Sequence, residues 1–107
     1  MPLIRTDEHR AFLDAGPFPR ALHVGDRQAV MLLCLQRGQE LAAPDGDRAE
    51  TAFVVLEGEG FVIEGEARHA VARGDVVTVA PASKKSLVAG PGTFVVLGVR
   101  SLAGRSS

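Results

Sequence analysis

The sequence predicts an all-β domain, built as a sandwich or a barrel. After Pro19, turn-forming Gly, Pro and Asp residues recur at short and regular intervals along the chain. The segments between them are rich in valine, and they are too short and too β-branched to be typical of helices. Such a pattern favours roughly eight short antiparallel strands, with sequences RALHV, AVMLLCLQ, TAFVVLE, FVIE, ARHAVA, DVVTVA, SLVA and TFVVLGV.

A short helix is predicted only before the strands, over residues 7–14 (DEHRAFLD). Thr6 is a suitable N-cap, the acidic residues after it suit the positive end of the helix dipole, and Gly16-Pro17 would end the helix. The predicted organisation is an N-terminal segment over residues 1–19, a barrel over residues 20–102 and a disordered tail over residues 103–107.

Composition excludes several classes of function. A chain of 107 residues forms one domain, and its 12 basic and 13 acidic residues, without a basic stripe, argue against nucleic acid as a partner. The longest apolar run, residues 29–35, is far shorter than the ~20 residues that a membrane span needs. No secretory signal pattern is visible, and the single cysteine, Cys34, is expected to be buried in a reducing compartment. We therefore expect a cytoplasmic protein.

Two blocks of the sequence resemble the conserved blocks of the cupin superfamily. They are RGQELAAPDGDRAETAFVVLEGEG (residues 37–60) and RGDVVTVAPASKKSLVAG (residues 73–90), and the resemblance extends over about residues 28–100. The most specific segments, VLEGEG and GDVVTVAP, belong to the scaffold, where Gly58 is expected at a turn that a side chain would obstruct. The resemblance implies a jelly-roll barrel that is commonly a homodimer, and the QAVMLLCLQ strand is a candidate contributor to the interface.

The first block departs from the family at its metal ligands. Cupins place two histidines and a glutamate there, but counting from the block's first glycine puts Pro44 and Gly46 at the histidine positions. Counting back from Gly58 puts Thr51 at the glutamate position, with Glu50 one residue away. Glu50 would point outward unless a β-bulge follows it.

The second block departs in the same way, because its histidine position falls on Lys85 when counted from Gly74, or on Ser86 when counted from Pro81. A metal needs its own ligand types at fixed positions. We therefore predict that the usual cupin metal site is missing and that no cofactor is bound.

Two other groups of residues are candidates for a metal site. Asp45, Asp47 and Glu50 supply oxygen ligands of the kind calcium prefers, but the segment is also a good turn sequence and is too short for a dedicated calcium loop. A relocated site could instead use His23 and His69, since His69 shares strand parity with Val71 and could face the barrel interior.

These observations predict a pocket inside the barrel near Lys85, Thr51, Phe53 and His69, with Glu50 as a further candidate. Inside the barrel, Lys85 could hold a carboxylate or phosphate, pair with Glu50, or act as a Schiff-base nucleophile or proton donor. The alternative is that Lys84 and Lys85 are a solvated pair on a loop.

The predicted function is metal-free binding of a small molecule whose identity the sequence does not reveal. Two alternatives remain open. One is a cupin enzyme, an isomerase, epimerase or dioxygenase-like protein, that uses Lys85 with His69 or Glu50, or that uses the relocated metal site. The other is a sensor module that acts with another protein.

Overall fold

The computed structural model describes residues 3–43, 49–81 and 84–102, so the predicted tail and the predicted roles of Pro44, Gly46 and the two aspartates between Ala43 and Ala49 lie outside the described residues. Within these ranges the chain forms nine strands in two antiparallel sheets. No helix among the described residues is long and apolar enough to cross a membrane. The strands are β1 (Phe18–Val24), β2 (Gln28–Leu35), β3 (Glu40–Ala42), β4 (Thr51–Glu57), β5 (Glu59–Glu64), β6 (Ala67–Ala72), β7 (Val76–Val79), β8 (Lys85–Ala89) and β9 (Phe94–Ser101).

The strands form a five-stranded sheet in the order β1-β2-β9-β4-β7 and a four-stranded sheet in the order β3-β8-β5-β6. The all-β prediction is confirmed, and the eight predicted segments correspond to eight of the nine strands. The ninth strand, β3, was not predicted, because a three-residue strand is too short to show an alternating pattern. It pairs with β8 through Leu41 and Leu87.

The N-terminal helix is shorter than predicted. It is one 3₁₀ turn, Thr6–His9, preceded by Arg5, and no side chain caps its first residue. Thr6 is therefore inside the turn and is not its N-cap. The chain becomes extended at Arg10, and Phe12, two residues later, packs on the outer face of the five-stranded sheet. Burial of this apolar side chain outweighs the local helix signals.

The main core lies between the two sheets. Inward-facing residues alternate with outward-facing ones, so that Val55 in β4, Val62 in β5 and Val79 in β7 are at most 1% exposed. Phe94 and Val96 of β9 are equally buried in the same core. This alternation is what turns one set of side chains on each strand towards the space between the sheets.

A second, smaller core lies on the outer face of the five-stranded sheet. Leu32, Cys34 and Val95 are buried there beneath side chains that include Phe12 and Phe18. The predicted burial of Cys34 is confirmed.

Ionic contacts fasten the N-terminal segment over this second core. The Arg10 guanidinium pairs with the Glu57 carboxylate and lies 3.1 Å from the Asp7 carboxylate. The other Glu57 oxygen accepts a hydrogen bond from Thr93. The N-terminal segment is thus tied to the end of β4, with Phe12 packed against the sheet.

Gly58 connects β4 to β5 and lies close to the backbone of Thr93. Its φ is +81°, a conformation that favours glycine, and a Cβ atom there would lie 1.9 Å from the carbonyl oxygen of Thr93. This geometry confirms the expectation that a side chain at Gly58 would obstruct the chain. The tight turn places β4 and β5 in opposite sheets.

We predict that Gly58→Ala lowers the free energy of unfolding by about 2–5 kcal/mol, because backbone strain and a steric clash act together. Gly74→Ala is the matched control, since Gly74 has a φ of +94° but open space around its Cβ position. Strain alone should cost that variant about 1–2 kcal/mol. Urea unfolding measures both, and equal losses would contradict the steric argument.

Candidate functional site

A cavity of about 240 Å³ lies between the two sheets, where the side chains do not fill the barrel. Both sheets contribute to its wall, as does the residue that follows β3. Most of its lining is apolar, which is typical of small-molecule sites. The lining residues are Pro19, Met31, Leu33, Leu41, Ala42, Ala43, Thr51, Phe53, Lys85, Ser86, Leu87, Gly98 and Arg100.

Three polar residues lie together at one end of this cavity. Thr51 and Lys85 come from opposite sheets, yet the Thr51 hydroxyl and the Lys85 ammonium both donate to the Ala49 carbonyl oxygen, at 3.3 Å and 3.4 Å. Arg100 is the direct cross-strand partner of Thr51 in the β4–β9 ladder. Direct partners in a ladder share a face of the sheet. The cavity therefore has a defined polar end made by Thr51, Lys85 and Arg100.

The next row of inward-facing residues along the strands is apolar. Met31, Gly98 and Phe53 are aligned across β2, β9 and β4. Leu41 and Leu87 are aligned in the facing sheet. Because Gly98 has no side chain, the space between Met31 and Phe53 in this row stays unfilled and forms part of the cavity. The cavity is thus amphipathic, because a row of apolar side chains follows its polar end along the strands.

Three of the five predicted site residues line the cavity: Thr51, Phe53 and Lys85. Thr51 and Phe53 lie two residues apart on β4 and are 5% and 7% exposed. Lys85 begins β8, whose residues 85, 87 and 89 are buried while the two between them are only half-buried. Lys85, the residue reached by counting from Gly74, is therefore the inward residue of the second block. The alternative of a solvated Lys84–Lys85 pair is wrong for Lys85, which is 6% exposed.

The other two predicted residues do not line the cavity. The Glu50 side chain is exposed just before β4, and its backbone carbonyl accepts a hydrogen bond from the Ser101 amide. The register shift of β4 lies between Val55 and Glu57, so no bulge turns Glu50 inward from the start of the strand.

His69 lies opposite the buried Val62 in the β5–β6 ladder, yet its side chain is 45% exposed. It belongs to β6, the strand at the edge of the four-stranded sheet. Its Nε2 atom is 3.9 Å from the Glu64 carboxylate. Strand parity predicted the face of His69 but not its depth, because a side chain at a sheet edge can remain in solvent.

The residues at the polar end do not fit the metal that cupins usually hold. The described lining residues include two hydroxyls, an ammonium and a guanidinium, but neither an imidazole nor a carboxylate. Cationic side chains repel a metal ion and cannot coordinate it. Over residues 3–43, 49–81 and 84–102, no three His, Cys, Asp or Glu side chains are grouped so as to hold a metal, and the relocated site therefore has no support there.

Several residues line the cavity without having been predicted to do so, among them Arg100, Met31, Leu41 and Gly98. A usable signal existed for Arg100, because it continues the two-residue spacing of Phe94, Val96 and Gly98 on β9. No comparable signal places Leu41, which is brought to the cavity by the short strand β3.

Solved structures with the same fold provide the comparison with known proteins. An RmlC-like cupin protein from Desulfovibrio desulfuricans is 24% identical, with a TM-score of 0.83 over 94% of this chain and 96% of that one. An uncharacterized conserved protein with a double-stranded β-helix domain from Klebsiella pneumoniae is 18% identical, with a TM-score of 0.86 over 94% and 90% of the two chains. A Cupin 2 conserved barrel domain protein from Salinispora arenicola is 19% identical, with a TM-score of 0.76 over 96% and 90%.

No protein-family model and no curated protein matches the chain. The structural similarity extends over nearly the whole length of each neighbour. It confirms the cupin-type fold that the sequence analysis predicted, while none of the three neighbours' names states an activity or a ligand.

The two lysines of the chain allow a direct test of the site geometry, because they are adjacent in sequence and differ in exposure. We predict that limiting acetic anhydride acetylates Lys84 several-fold faster than Lys85 in the folded protein, since the Lys85 amine is shielded by the barrel. Tandem mass spectrometry of the peptide that contains both residues measures the two rates. The difference should vanish in urea, and equal rates in the folded state would contradict the buried position of Lys85.

Proposed function

We propose that this protein binds a small, partly apolar molecule in the cavity of its barrel. The observation that carries the proposal is the amphipathic lining, in which an apolar row is followed by the polar group of Thr51, Lys85 and Arg100. An ammonium at this depth is not expected in a purely structural core, because burying a charge carries a large desolvation cost. Ligand sites commonly combine an apolar wall with a few polar groups in this way.

The size of the cavity limits the ligand. At the packing density of protein interiors, about 0.74, a volume of about 240 Å³ holds a molecule of roughly ten non-hydrogen atoms. This range suits a short acyl chain or a substituted ring. A nucleotide or a cofactor of similar size would not fit entirely inside the cavity.

Binding is a better supported function than catalysis. The enzyme hypothesis paired Lys85 with His69 or Glu50, and neither of these residues is among those that line the cavity. General acid–base chemistry needs its groups within hydrogen-bond reach of the substrate. Among the described lining residues, Lys85 has no imidazole or carboxylate beside it to exchange protons with a ligand.

The proposal also includes a homodimer, since the cupin resemblance implies one. The QAVMLLCLQ strand is poorly suited to an edge-to-edge contact, because β2 is hydrogen-bonded to β1 on one side and to β9 on the other. A better candidate interface is the outer row Val76–Val54–Leu97, which is continuous across β7, β4 and β9. Val76 is 59% exposed, and a partner subunit would cover it.

We predict that the protein sediments with twice its chain mass of 11.3 kDa, and that Val76→Asp shifts it towards monomer by placing a charge in the apolar row. Val24→Asp is the control, because Val24 is similarly exposed at 64% but lies in β1, at the opposite edge of the same sheet. Sedimentation velocity measures both variants. A monomeric parent protein, or equal effects of the two changes, would contradict this interface.

We predict that the cavity binds heptanoate or its neutral isostere heptanamide, and that Gly98→Val abolishes this binding. A valine side chain at position 98 would occupy the cavity, while its Cβ would make only ordinary contacts of 3.4–3.6 Å with Leu33 and Phe53. Gly92→Val is the matched control, because Gly92 lies on the surface with no atom near its Cβ position.

Chemical-shift titration of ¹⁵N-labelled protein measures the binding of each probe, and thermal unfolding verifies that both variants are folded. Shifts should concentrate on residues that line the cavity. If neither probe binds the parent protein, or if both bind equally well to the folded Gly98→Val variant, the barrel is not the binding site.

A further inference from the structure

We infer that the ligand of the barrel cavity is a small monocarboxylate with an aliphatic chain, whose carboxylate binds between Lys85 and Arg100. This inference rests on the proposed function and adds the chemical class of the ligand. It follows from the charges at the polar end, the position of the hydrogen-bonding groups there and the apolar character of the rest of the wall.

Both charged side chains among the described lining residues are cationic. Lys85 and Arg100 lie at the same end of the cavity, since Lys85 shares the Ala49 carbonyl with Thr51, and Thr51 is the ladder partner of Arg100. Two positive charges from opposite sheets meet at one end of the cavity and favour an anion there. Because Lys85 is 6% exposed, water screens its charge less than it would at the surface.

The groups at this end match a carboxylate in kind. Lysine and arginine side chains are hydrogen-bond donors without acceptor atoms, and the Thr51 hydroxyl can also donate. Ala49, Lys85 and Arg100 already make further interactions within the protein. A bound carboxylate would therefore add to these interactions or exchange with some of them, and it would form charge-assisted hydrogen bonds, which are stronger than neutral ones.

The remainder of the wall selects an aliphatic chain. Beyond the polar end, the ligand would contact Met31, Phe53, Leu41 and Leu87, with Gly98 leaving the space it occupies. A sugar or a dicarboxylate would bury a second set of polar groups against these side chains without hydrogen-bond partners. One charged end and one apolar end are the pattern of a monocarboxylate.

Heptanoate and heptanamide test this inference because they have the same shape and differ in charge. At pH 7 the parent protein should bind heptanoate at least about 10-fold more tightly than heptanamide, as expected for hydrogen bonds to a charged group. Chemical-shift titration of the full-length protein gives both dissociation constants. Equal affinities for the two probes would overturn the inference and leave the barrel-binding proposal standing, whereas binding of neither probe would overturn both.

Two variants identify the groups that hold the anion. Lys85→Met should weaken heptanoate binding about 10-fold or more and change heptanamide binding by less than about threefold, because it removes a charge at similar volume. Arg100→Gln should have the same selective effect, and it provides a second measurement if Lys85→Met does not fold. Lys84→Met is the matched control, since Lys84 is exposed and does not line the cavity.

The selectivity of these losses distinguishes ligand binding from a structural role. A variant that merely loosened the barrel would weaken both probes together, so an equal loss of heptanoate and heptanamide would overturn the assignment of that residue. Unchanged heptanoate affinity in both folded variants would overturn the anion site as a whole.

Discussion

The register of β9 between β2 and β4 is the constraint on which the site depends. β9 is hydrogen-bonded to both neighbours along its length, and this pairing aligns Gly98 with Met31 and Phe53 and Arg100 with Thr51. Because strand side chains alternate, a shift of one residue would turn all of these groups to the opposite face. The pairing of β9 with its neighbours thus sets both the position of the cavity and the position of the Arg100 charge.

Two glycines with different environments mark the tightly packed part of the barrel and the part that contains the cavity. In the packed part, a Cβ on Gly60 would lie 2.3 Å from the Val88 carbonyl oxygen and 2.9 Å from the fully buried ring of Phe94. Gly98, in contrast, faces the cavity, where a Cβ would meet only ordinary contacts. Close packing at Gly60 stabilises the two-sheet structure, while the missing side chain at Gly98 leaves space for a ligand.

The proposed anion site lies where the cupin resemblance implies metal ligands. Counting along the two blocks places Thr51 at the position of a glutamate and Lys85 at the position of a histidine. A hydroxyl and an ammonium replace a carboxylate and an imidazole, and Arg100 lies beside them. Groups that attract an anion thus stand where the resemblance implies groups that attract a metal cation. The proposed carboxylate site therefore differs from the implied metal site at only a few inward-facing positions.

The sequence by itself determined the fold class, most strand positions and the inward side of β4, because turn residues and two-residue alternation are local properties. It thereby identified Thr51 and Phe53, and it left Lys85 and Ser86 as alternatives for the inward residue of β8. Only the tertiary structure decided that Lys85 faces inward, that Arg100 joins it, that β3 contributes Leu41, and that Glu50 and His69 remain outside. These outcomes depend on which strands face one another and how deep each position lies. A local pattern specifies the face of a strand, but the depth of a side chain is set by the neighbours that cover it.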